Sequence, residues 1–139
     1  MIKRVKGLVI GAAVLLVIGV VSAKFYQAKL NRDRLLHVLN VESIPVGVSI
    51  VASAADVWTD EVLHFVLKLE DGSIDEVVSG REYTKTAYGT PRTQSHGGYT
   101  SHLPEFQVYH RYSTGEGLWG VWIETDKTET LAYVMFAAD

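Results

Sequence analysis

The stretch TLAYVMFA, residues 130–137, alternates as a strand does, yet neither face is polar: Leu131, Tyr133 and Met135 lie on one side, Ala132, Val134 and Phe136 on the other. A strand of that kind sits between two covers. Upstream, LWGVWIE (118–124) and the run Phe106, Val108, His110, Tyr112, alternating with Gln107, Tyr109 and Arg111, read as two more strands. The turn-like segments STGEG and TDKTE join the three into an antiparallel meander.

Further back the same period recurs. Val46, Val48, Ile50 and Ala52 alternate with Gly47, Ser49 and Val51, and Leu63, Phe65, Leu67 and Leu69 alternate with Val62, His64, Val66 and Lys68. These predict a hairpin with the long loop ASAADVWTD. Ser73-Ile74-Asp75-Glu76 fits a capping box, and Gly80 stands where a C-terminal cap is wanted, so a short helix over 74–79 follows. Residues 81–104, with Gly89, Pro91, Gly97, Gly98 and Pro104, read as one long irregular loop. Such a loop in a small domain implies a task or a partner. One short helix screens only part of one sheet face, so the rest of the cover must come from the loop, the preceding helical stem or another protein. The last possibility argues for a complex.

The period is different at the other end of the chain. GLVIGAAVLLVIGVVSA, residues 7–23, is an unbroken apolar run preceded by MIKRVK and followed by Lys24. As a helix it reaches roughly 25 Å, the short end of what a bilayer core requires. A cleaved signal peptide is the rival, since Ser22 and Ala23 suit a processing site, but the run exceeds the usual signal core. The expected organisation is a basic cytoplasmic tail (1–6), a transmembrane anchor (7–23), a helical stem (24–40) and an extracytoplasmic α+β domain (41–139) in the order β-β-α-β-β-β. Lys3, Arg4 and Lys6 favour a cytoplasmic N-terminus and a periplasmic head in the inner cell membrane. In the stem, Leu30, Leu35, Leu36 and Leu39 form a partial apolar stripe, and Pro45 bars any longer helix.

Charge divides the same way. Residues 1–39 hold seven Lys/Arg and one acid, net +6, whereas residues 40–139 hold six Lys/Arg and fifteen acids, net −9. An acidic head repels nucleic acid and anionic lipid and favours basic partners. The chain has no cysteine, which excludes disulfides and a thiol-linked lipid anchor.

No motif identifies a reaction. Gly115-Glu116-Gly117-Leu118-Trp119-Gly120 spells the dinucleotide fingerprint, but VWIETD follows, a strand where the mechanism needs a helix N-terminus. His96 and His102 are weak metal candidates, joined at best by His64 or His110, in a spacing that matches no zinc pattern; hydrogen-bonded loop histidines are the simpler reading. No cofactor is expected. Gly7, Gly11 and Gly19 leave a notch in the anchor for another helix. Trp58, Tyr133 and Phe136 complete the expected contact residues. The sequence therefore reads as a non-catalytic interaction or accessory subunit of a membrane protein complex. A periplasmic inhibitor or immunity-type binder of a basic enzyme, or a His-site metal-dependent enzyme, are the alternatives.

Overall fold

The computed structural model describes residues 2–57, 60–70, 72–114 and 119–138, with backbone only for 2–10. The chain forms two compact units, Met1–Arg34 and Leu35–Asp139. Their layout is α+β: a long apolar helix, then a six-stranded antiparallel sheet with one short helix.

Helix α1 spans Ile2–Leu39. Between Lys24 and Leu39 it contains no Gly or Pro and is built largely of good helix formers. Every side chain from residue 11 to residue 29 is exposed. The segment Gly11–Leu39 is long and apolar enough to cross a membrane, with a mean hydropathy of 1.6 over its most apolar window and none of that window buried.

Pro45 is not what ends the helix. Asn40 adopts φ 56°, the left-handed conformation that asparagine tolerates better than most residues. Its N–H bonds His37 O (3.2 Å) and the Val41 N–H bonds Leu36 O (3.2 Å), the paired bonds of a Schellman stop. Arg81 joins the helix end from outside, Nε donating to Val38 O (2.7 Å) and Nη2 to His37 O (3.1 Å), while Asn40 Nδ2 donates to Gly80 O (2.7 Å). A cation at a helix C-terminus also faces the negative end of the macrodipole.

The strands are β1 (Val48–Asp56), β2 (Glu61–Leu69), β3 (Thr84–Thr93), β4 (Gln107–Ser113), β5 (Gly120–Thr125) and β6 (Leu131–Ala138), with α2 (Ser73–Val77) between β2 and β3. Their order in the sheet is β1-β2-β6-β5-β4-β3. The doubly apolar β6 is thus interior, paired with β2 and β5. Its first face, carrying Ala132, Val134 and Phe136, meets Leu63, Phe65, Leu67, Val121 and Ile123, covered by Leu35, Val38 and Leu39 of α1 and by Ile74 and Val77 of α2. Each such aliphatic side chain contributes roughly 1.5–3 kcal/mol on burial. The second face, with Tyr133, Met135 and Val66, is covered by Leu103 and Phe106 from the segment 94–106 that follows β3. Both covers come from the chain itself, so the apolar faces of β6 no longer argue for a second protein.

Three local expectations change. Residues 84–93 are not loop but strand β3, pairing antiparallel with β4 from Thr84↔Ser113 to Thr93↔Gln107. Its side chains are almost all exposed, so no apolar alternation marks it. Gly89 and Pro91 are tolerated because β3 is an edge strand whose register slips between Ala87 and Arg92. The capping box is absent: Gly72, at φ 80°, takes the N-cap position, and Ser73 Oγ donates to Val46 O (3.3 Å) instead. Val78, not Gly80, caps the other end of α2. Finally, β1 carries a bulge between Ile50 and Ala52, so Val48 and Ile50 pack on the first core while Ala52 and Ala54 face the second.

The β5–β6 turn is organised by one carboxylate. Asp126 Oδ1 accepts from the N–H groups of Thr130 (2.7 Å) and Leu131 (2.9 Å), and Oδ2 from the hydroxyls of Thr128 (2.8 Å) and Thr130 (3.0 Å). Partial burial works to raise its pKa, but these bonds outweigh it and hold the carboxyl below the usual aspartate value. Its support is therefore present above the unfolded-chain value and is lost as pH falls through the lower folded one. Asp126→Ala is expected to cost about 1–2 kcal/mol, seen as a lower urea midpoint with unchanged slope.

Candidate functional site

Period-two alternation and antiparallel register place a row of polar side chains across the second sheet face. Tyr133 on β6 lies opposite Glu124 on β5, Glu124 opposite Arg111 on β4, and Arg111 opposite Thr86 on β3. The adjacent row holds His64 opposite Met135 and Met135 opposite Trp122. Over the β1-β2-β6 end of this face runs the segment 94–106, a strap closed at its base by Gln94 N–H to Phe106 O (3.0 Å). Within it a 3-10 turn, Gly98–Thr100, is fixed by the Thr100 hydroxyl, which donates to Gly97 O (2.8 Å) and accepts from Gly97 N–H (3.2 Å).

The strap is pinned by imidazoles. His64, only 5% exposed, contacts the Tyr133 hydroxyl through Nδ1 (2.5 Å) and the Tyr99 hydroxyl through Nε2 (2.7 Å). Its ring stacks on Tyr133 at 5.8 Å and meets Tyr99 edge-on at 5.5 Å. His96 Nε2 donates to Pro104 O (3.3 Å), with its ring 5.0 Å from Tyr133. His102 Nε2 donates to Ser53 O on β1 (3.0 Å). A strap rooted in the β3–β4 hairpin thereby reaches the opposite edge strand.

Burial, and then the nearby His96, push the His64 pKa below the ordinary imidazole value. A neutral imidazole has one donor and one acceptor nitrogen. One tyrosine must therefore donate to His64 and the other accept from it. Burial, with the neighbouring Tyr99 and Glu124, raises the Tyr133 hydroxyl well above its usual range, although Gln94 hydrogen-bonds it. Burial also raises Glu124, opposed by Arg111, Arg92 and a hydrogen bond from Tyr88. Arg111 Nη1 stands 4.0 Å from Glu124 Oε1 and its guanidinium 5.9 Å from the Trp122 ring. A carboxyl with raised pKa beside fixed cations is a feature of acid–base sites and of structural networks alike; the partners of Glu124 lie on β3 and β4, outside the strap.

The first face carries a separate cluster. Glu129 accepts from Lys85 (2.9 Å) and the Tyr112 hydroxyl (2.7 Å), with His110 Nδ1 at 3.4 Å. Partial burial opposes ionisation of Glu129, but the Lys85 and Tyr112 bonds prevail and keep its pKa low.

His96 and His102 therefore engage two different backbone carbonyls, and His110 lies on the other face from His64. Among the described residues no three His, Cys, Asp or Glu side chains are grouped to hold a metal. Gly11 and Gly19 lie on α1 with nothing within 4 Å of where a Cβ would project; Gly7 lies in the backbone-only part of the helix. Tyr133 is 5% exposed beneath the strap. Phe136 packs on the first core with its ring edge-on to His37 at 6.0 Å. Trp58 falls outside the described residues, as do Gly115 and Gly117, and Gly120 opens strand β5 rather than a helix.

Sequence reasoning named His64 only as a possible further metal ligand and passed over Tyr99, Glu124 and Arg111. The available signal was His64 between Val62 and Val66, a polar ring on the face that the second apolar side of β6 requires to be covered. No protein-family model, no curated protein and no solved structure matches this chain.

Proposed function

We propose that the protein is a single-pass membrane protein whose folded domain serves as a non-catalytic interaction or accessory subunit of a membrane assembly. The observation that carries this reading is the contrast between the two units. Leu15 and Leu16 are 71% and 69% exposed on α1, while both apolar faces of β6 are covered by the chain's own segments. A helix apolar all round finds its lowest free energy in hydrocarbon. Lys3, Arg4, Lys6 and the α-amino group support a cytoplasmic N-terminus with the acidic domain on the periplasmic side; Lys24, Lys29, Arg32 and Arg34 give the other flank a comparable charge, so this orientation rests on the helix inserting N-terminus first.

Membrane fractionation tests it. The protein is expected to stay with membranes in 1 M salt and at alkaline pH, to leave only with detergent, and to bring fixed partners that mass spectrometry identifies after gentle extraction. Release as a lone monomer would sink the subunit reading, and mature protein beginning at Lys24 would sink the anchor. A partner shed steeply as salt rises would instead favour an inhibitor or immunity-type binder of a basic enzyme, drawn by the net −9 of residues 40–139.

A further inference from the structure

We propose that the stretch Lys24–Arg34 of α1 is a binding collar for anionic lipid headgroups, an inference that rests on the membrane anchoring put forward above. Lys24, Lys29, Arg32 and Arg34 follow the apolar run directly. At about 100° per residue they fall near 0°, 140°, 80° and 280° around the axis, so positive charge surrounds the helix rather than lining one face. Lys24, Lys29 and Arg32 are exposed and Arg34 partly so. None of the four takes part in an ion pair among the described residues. The one acid in the stretch, Asp33, leaves a net +3.

The dimensions agree with headgroup contact. Phe25 and Tyr26 are 74% and 71% exposed, and aromatic rings at such a position settle at the membrane interface. Ten residues separate Lys24 from Arg34, a rise of about 15 Å. That matches a headgroup layer of roughly 5–7 Å plus a Debye length of about 8 Å at physiological salt. All four charges therefore stand within reach of an anionic surface. Residues 40–139 cannot supply the preference, because they carry net −9 and are repelled by the same surface; Lys3, Arg4 and Lys6, at the other end of the apolar run, are the basic residues from which the collar must be distinguished.

The test is lipid selectivity of the full-length chain in bilayers of equal phosphatidylcholine and phosphatidylglycerol, read by electron paramagnetic resonance from the motionally restricted fraction of spin-labelled lipid. One basic residue near an anionic surface strengthens attraction about fivefold, so the wild type is expected to favour labelled phosphatidylglycerol about fivefold or more. The preference should fall several-fold in K24Q/K29Q/R32Q/R34Q, leaving what Lys3, Arg4 and Lys6 contribute, should fall close to unity in 1 M salt, and should largely survive in K3Q/R4Q/K6Q. Equal restriction of both lipids by the wild type, or a preference abolished only by the N-terminal triple variant, would overturn the collar. No restricted lipid of either kind would show instead that the helix does not enter the bilayer, and the anchor reading itself would fail.

Discussion

Gly80→Ala is expected to cost about 3 kcal/mol or more, a large fraction of the stability of a domain of this size. A Cβ at residue 80 would stand 2.3 Å from Leu39 O and 2.5 Å from Asn40 O, both backbone atoms. Overpacking of this sort usually costs about 1–3 kcal/mol because neighbours give way. Here they are held: Arg81 takes the carbonyls of His37 and Val38, and Asn40 Nδ2 takes the carbonyl of Gly80 itself. Moving the helix end aside would also shift Leu35, Val38 and Leu39, each fully buried. Urea unfolding of the detergent-solubilised chain, followed by tryptophan fluorescence, measures the loss. An alanine variant within about 0.5 kcal/mol of wild type would mean that the helix end is not seated against Gly80 as described.

The second large effect is a loss of stability in mild acid that depends on His64. The unfolded imidazole protonates near 6.5, whereas the buried one, between Tyr133 and Tyr99 and beside His96, resists the proton. Below that pH the unfolded state binds a proton that the native state does not, so stability falls as pH falls. The slope is at most about 1.4 kcal/mol per pH unit until the folded group titrates in turn. The other charged groups near the clamp are Asp56, by Tyr99, and Glu124, by Tyr133. A protonated His64 has two donors and no acceptor, so the tyrosine that had donated to it must rotate its hydroxyl to accept instead and find another partner for its proton inside the buried clamp. Amide exchange over residues 94–106, corrected for intrinsic rates, should therefore accelerate between pH 7.5 and 5.5 ahead of the β2 and β6 ladder. His64→Gln should flatten the pH dependence in that window. Unaltered dependence in that variant would place the sensitivity elsewhere.

Much of the sheet was legible because the second core face of β6 shows as apolar residues in the chain itself, and a strand with two greasy sides has one stable position, inside the sheet. The helix was equally plain from composition. What escaped was written in less local terms. β3 exposes nearly every side chain and contains Gly89 and Pro91, so its backbone pairing leaves no trace in hydropathy. Ser73 and Glu76 satisfy a capping pattern, but Ser73 faces Val46 O once Gly72 turns left-handed. Asn40 ends the helix with a stop that depends on Gly80 and Arg81, forty residues away. The polar row of Tyr133, Glu124 and Arg111 exists only once three strands are in register, and His64 acquires its partners only when the strap folds over it. Each missed feature required a contact distant in sequence.

The helix contributes its last turn to the domain interior, and this restricts where the chain can be divided. A protease that cut after residue 40, or a gene fusion that began there, would carry away three fully buried side chains and open a hydrophobic hollow over Phe65 and Val134. A released head has to keep the helix from Leu35 onward to stay folded, so shedding at the membrane surface and cutting at the neck are not equivalent events for this protein.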